Sequence, residues 1–103
     1  MLVKLNQLVV GGMYNFYYTK GLQHGGAMPL YLLSNTYEPP ISNLYSLENF
    51  VVLESRFDSF AEEYSHKVLS SDGRLGYFCL TEGEVKAFGI KFKRLDKVEH
   101  EGR

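Results

Sequence analysis

The chain has 103 residues and a net charge of −1, with a pI of about 6.3. That length makes one domain, residues 1–103, and the near-neutral charge excludes a chain that works by global attraction to nucleic acid or an acidic membrane. Cys79 is the only cysteine, which excludes an intrachain disulfide framework, and no membrane partner is expected.

The opening, MLVKLNQLVVGGMY, has too short an apolar run for a signal peptide or membrane span, so the cytosol is the expected compartment. Within it Leu2, Leu5, Leu8 and Val9 recur at helical spacing, predicting one or two helical turns that stop at Gly11-Gly12. An irregular N-terminal arm explains the same residues about as well. MYNFYYT, residues 13–19, alternates as a strand, with Tyr14, Phe16 and Tyr18 on one face. The glycines of KGLQHGGA break it. MPLYLLSNTY, 28–37, reads as a second strand with Pro29 near its start, and EPPISN as a stiff turn.

LENFVVLESRF, 47–57, is the clearest strand, and DSFAEEYS places Ser59 and Glu62 at capping-box spacing for a helical turn. HKVLSS and RLGYFCLT flank Asp72-Gly73 as a hairpin, the dipeptide predicting a two-residue turn with φ > 0 at both positions. Arg74 follows the turn and is expected to add little to stability. TEGEV reads as a further turn. KAFGIKFKRL, 86–95, then alternates, with Phe88, Ile90 and Phe92 inward and Lys91 and Lys93 outward. Charge is uneven: Lys86, Lys91, Lys93, Arg94 and Lys97 make the end basic, whereas Glu54, Asp58, Glu62 and Glu63 make the middle acidic.

Short strands joined by Gly, Pro and Asp-Gly turns predict an all-β domain, a small antiparallel barrel of five or six strands. No constellation points to catalysis, a metal or a cofactor. His24, His66 and His100 share no ligand spacing with one another or with Cys79. His24 reads as a loop residue, His66 as a half-exposed edge residue and His100 as part of a charged tail. Cys79, between Phe78 and Leu80, reads as a buried, inert thiol. GLQHGG lacks phosphate-cradle spacing, and Glu62-Glu63 has no environment that would split two carboxyl pKa values. Most aromatics alternate as core, while Tyr37 and Tyr45, which flank the Pro-Pro turn, are expected on the surface.

The layout resembles the Sm and Sm-like proteins, strongly bent five-stranded antiparallel barrels of the SH3-like type with a short N-terminal helix. HKVLSSDGRLGYF is similar to the family's second motif, a strand, a basic-Gly turn and a strand, with Gly73 and Arg74 in reversed order. The first motif, Asp-x-x-Met-Asn, is absent, and only Asn35 or Asn43 stands near its Asn. The resemblance implies a non-enzymatic homo-oligomeric ring that binds RNA, with Arg74 at the pore beside Asn43 and Tyr45, and with Tyr37 a further contact. It also implies subunit pairing through an edge strand, for which Phe88, Ile90 and Phe92 are the candidates. The alternative is a protein-interaction or structural barrel with no nucleic-acid role. The short, Tyr-rich style resembles small bacteriophage proteins as well, which implies a host cytoplasm.

Overall fold

The computed structural model describes residues 1–20 and 26–96; His24 and His100 lie outside them. Among these residues eight strands and one α-helix follow in order: β1 (Leu2–Val3), β2 (Met13–Tyr18), β3 (Ala27–Leu30), β4 (Ser42–Tyr45), β5 (Phe50–Asp58), β6 (Glu63–Ser70), β7 (Leu75–Thr81), α1 (Glu82–Phe88) and β8 (Ile90–Arg94). Six strands form one antiparallel sheet ordered β1-β8-β2-β5-β6-β7, and β3 and β4 form a separate ribbon. The all-β expectation holds in this coarser form.

Alternation builds the core. Tyr14 and Phe16 of β2, Phe50 and Val52 of β5, Val68 of β6, Phe78 of β7 and Phe92 of β8 are buried on one face of the sheet, with Met28, Leu30 and Leu44 supplied by the ribbon. Their rings meet edge-on or stacked, Phe50 with Phe78 at 6.0 Å and Phe78 with Phe92 at 5.9 Å. Such pairs contribute about 0.5–1.5 kcal/mol each beyond their buried area. The ribbon joins β7 through a single bridge, Tyr31 to Tyr77, with both backbone hydrogen bonds at 2.8 Å. Gly76 permits that approach, since a Cβ there would sit 2.8 Å from Leu30 Cβ.

Several expectations change. The N-terminal turns are a two-residue strand followed by a 3₁₀ turn over Leu5–Gln7. The strand expected over 28–37 ends at Leu30; beyond Tyr31 the chain bends, and Asn35 Oδ1 accepts the Tyr37 N–H at 3.1 Å. The turn expected at TEGEV and the start of the last strand are together α1. Thr81 caps it, its hydroxyl accepting the Glu84 N–H at 3.0 Å while Glu84 Oε1 accepts the Thr81 N–H at 2.9 Å, and Gly89 closes it in the left-handed region. Phe88 is therefore helical. Ile90 and Phe92 do point inward, but β8 lies between β1 and β2 instead of at an edge. Phe88 lies in α1 and Phe92 is paired on both sides, so neither is an edge position, whereas Ile90 pairs with Tyr18 of β2 and lies past the end of β1.

Candidate functional site

The hairpin of β6 and β7 closes with three loop residues, Ser71, Asp72 and Gly73. Gly73 N–H donates to the Ser70 carbonyl at 3.0 Å, Ser70 N–H to the Arg74 carbonyl at 2.9 Å, and among the loop residues only Gly73 has positive φ, at 94°. This is a turn with a glycine bulge in place of the expected two-residue turn, so Asp72 keeps an ordinary backbone. The Asp72 side chain works instead, accepting from the Ser70 hydroxyl at 2.6 Å and from Arg74 Nε at 2.8 Å.

Arg74 reaches from this turn to β4. Its guanidinium donates to the Asn43 carbonyl, pairs with Glu48 and lies 5.3 Å from the Tyr45 ring centroid. The structure thus brings Arg74, Asn43 and Tyr45 together, Asn43 through its backbone. Tyr37 stands apart and almost wholly exposed. Two carboxylates, Asp72 and Glu48, already compensate Arg74, and Glu48 Oε1 also accepts the Tyr45 N–H at 2.8 Å. Arg74 clamps the hairpin to the ribbon. A phosphate at this position would compete with both acids.

His66 is buried where a half-exposed edge residue is expected, and Cys79 is half-buried where a buried thiol is expected. His66 belongs to the inner face with Tyr64 and Val68, is 2% exposed, and has Nδ1 2.9 Å from the Ser55 hydroxyl. Burial pushes its pKa down to about 4, opposed only in part by the Leu5 backbone, which makes it a feeble base toward Ser55 at neutral pH. Its Nε2 has no hydrogen-bond partner among the described residues. Cys79 is half-buried on the outer face, where Ser65 Oγ lies 3.6 Å from its sulfur, and burial raises its pKa.

The outer face holds a feature that the linear sequence did not reveal. Met13 pairs with Val51, Val51 with Leu69, and Leu69 with Leu75, so four apolar side chains stand in one cross-strand row. Met13, Leu69 and Leu75 are 36, 38 and 43% exposed. A solvated sheet face normally alternates to polar residues. A bulge between Val52 and Glu54 in β5 leaves Leu53 exposed beside the row. The next row is charged and polar: Glu54, Lys67 and Tyr77, in register. There the Tyr77 hydroxyl donates to Glu54 at 2.8 Å. Each strand alone shows one ordinary apolar residue, so only the register reveals the row.

No group of three or more His, Cys, Asp or Glu side chains among the described residues is placed to hold a metal, and no described helix is long and apolar enough to cross a membrane. Compared with family models, curated proteins and solved structures, the chain matches none.

Proposed function

We propose that this chain is a non-enzymatic interaction module that associates with itself through the outer face of its sheet. The observation that carries this reading is the unbroken row Met13–Val51–Leu69–Leu75, half-exposed across four paired strands. The occupant is a second copy, because the row and its charged neighbour are self-complementary. A two-fold axis lying in the face, parallel to the strands and between β5 and β6, turns the row onto itself. Val51 then meets Leu69 of the other copy, Met13 meets Leu75, and Glu54 meets Lys67, opposite charges at the rim. Sedimentation velocity tests it. The wild type is expected to sediment as a dimer at micromolar concentration, and Leu69→Lys as a folded monomer. A monomeric wild type at that concentration would sink the reading.

The Sm-like, RNA-binding ring is a second reading, supported by the meeting of Arg74 with Asn43 and Tyr45. With Phe92 and Lys93 of β8 covered by β1, a ring would pair longer open edges, such as β4 or β7. Binding of single-stranded RNA that weakens steeply with salt, and weakens further in Arg74→Lys, is the result this reading expects; Arg74→Lys keeps the charge but loses the planar fork. Equal binding by Arg74→Lys would remove it.

A further inference from the structure

A second surface, sharing no residue with the outer-face row, lies where β1 gives out. Arg94 N–H donates to the Met1 carbonyl at 2.9 Å, and β1 pairs Leu2 with Lys93 and Val3 with Phe92. Antiparallel alternation turns the backbone groups of Arg94, Phe92 and Ile90 toward this edge. On the opposite edge Thr19 N–H donates to the Gly89 carbonyl at 2.8 Å, as that alternation requires. Ile90 would next face Leu5, but the chain has already left for its 3₁₀ turn at Leu5–Gln7. The Ile90 N–H and C=O are thus without a strand partner among the described residues.

They open on a groove of about 480 Å³ between β1, α1 and the start of β8, within the usual range for ligand sites. Val3, Leu5, Val85 and Ile90 give it apolar walls. Lys4, Lys20, Lys86 and Lys91 stand around it, and Glu82 is the one acid among the lining residues. All four lysines are exposed, and Lys20 Nζ donates to the Lys86 carbonyl at 3.1 Å, drawing two of them together.

We propose that this groove binds a short extended segment of a partner protein, adding it as a strand in line with β1, and that the segment reads acidic–apolar–acidic. The strand geometry dictates the pattern. A residue exchanging backbone hydrogen bonds with Ile90 projects its side chain to the same face as Ile90, toward Leu5 and Val85, and must be apolar. Its two neighbours project to the face of Lys91 and meet excess positive charge. Single-stranded RNA is the weaker fit, because the lysines could meet its phosphates but the apolar walls hold no aromatic platform for its bases, apart from Phe92 of the core, and the strand-pairing backbone of Ile90 has no counterpart in it.

The probe is a fluorescein-labelled peptide, Ser-Glu-Val-Glu-Ser with blocked ends, titrated by fluorescence anisotropy at low salt. Saturable binding is expected, weakened roughly tenfold by Lys91→Glu or by Lys86→Glu, since each reverses a positive charge lining the groove. N-methylation of the valine should weaken it comparably by removing the donor to Ile90, and a Lys-Val-Lys peptide should not bind. Circular dichroism verifies that both variants, altered only at exposed positions, stay folded. The proposal is overturned if binding does not saturate up to millimolar peptide. It is equally overturned if the N-methyl peptide binds like its parent, if the charge-reversed variants bind like the wild type, or if oligouridine RNA alone is retained through these lysines.

Discussion

His66 sits neutral inside the sheet because desolvation opposes its charge, and that makes it an acid-sensitive residue. Its pKa is near 6.5 when unfolded and about 4 when folded. Between those values the unfolded chain binds a proton that the folded chain refuses, so stability falls as pH drops from about 6.5 to 4. The slope is about 1.4 kcal/mol per pH unit and the total up to roughly 3 kcal/mol. Urea midpoints measured across that window should fall in the wild type and stay nearly flat in His66→Phe; parallel slopes would contradict a neutral buried His66. Arg74 carries a second expectation at this scale. Because it ties Asp72, Glu48 and the Asn43 carbonyl together, Arg74→Ala should destabilise by about 1–3 kcal/mol, where the sequence alone suggested almost no effect. An unchanged urea midpoint would show that the clamp contributes nothing. The burial of His66 and the half-exposure of Cys79 have one cause: adjacent residues such as Phe78 and Leu80 alternate to the other face, so the informative neighbours of each lie two residues away or across the ladder.

At the scale of elements, strands with clean alternation are legible: Met13–Tyr18 and Phe50–Asp58 lie where the sequence places them, and β6 and β7 pair as the expected hairpin, although β6 starts at Glu63, inside the stretch read as a helical turn. Helix α1 was missed although its signals are present, Thr81 and Glu84 at capping-box spacing and Gly89 after the last turn. The alternation of residues 90–94 runs on backwards through Phe88 in the sequence and masks those signals. The β3–β4 ribbon was half legible, because β4 is only four residues long and follows two prolines. Its attachment depends on Gly76. A methyl group there would lie 2.8 Å from Leu30 Cβ and 3.1 Å from the Tyr31 carbonyl oxygen, neither of which swings away as the end of a long side chain can. Gly76→Ala is therefore expected to cost about 1–3 kcal/mol through overpacking, seen as a lower urea midpoint. Gly83→Ala is the control, since its added Cβ would meet only Thr81 Oγ1, at an ordinary 3.7 Å. If both changes cost the same, the close crossing of β3 over β7 is not what Gly76 serves.

At the scale of the whole molecule, β content was readable from alternation and turn density, but sheet order was not. Which strand ends up at an edge is decided by pairings between distant segments, and two residues, Leu2 and Val3, suffice to move β8 from the edge to the interior. The same non-local register gathers Met13, Val51, Leu69 and Leu75 into a row, and that row makes a prediction about the stability of the assembly. A chain of this length has a modest core. If it folds as the dimer proposed above, unfolding releases two chains from one particle, and mass action must tie its melting temperature to protein concentration. With an unfolding enthalpy of about 70 kcal/mol per chain, each tenfold dilution should lower the melting temperature by roughly 3–4 °C. Leu69→Lys removes the apolar contact at the centre of the row without opening a core cavity, because Leu69 is already 38% exposed. Its melting temperature should be independent of concentration and lie near the lower limit that the wild type approaches on dilution. Differential scanning calorimetry over two decades of concentration makes the comparison, and a wild-type melting temperature that does not move with dilution would mean that the row meets no second copy.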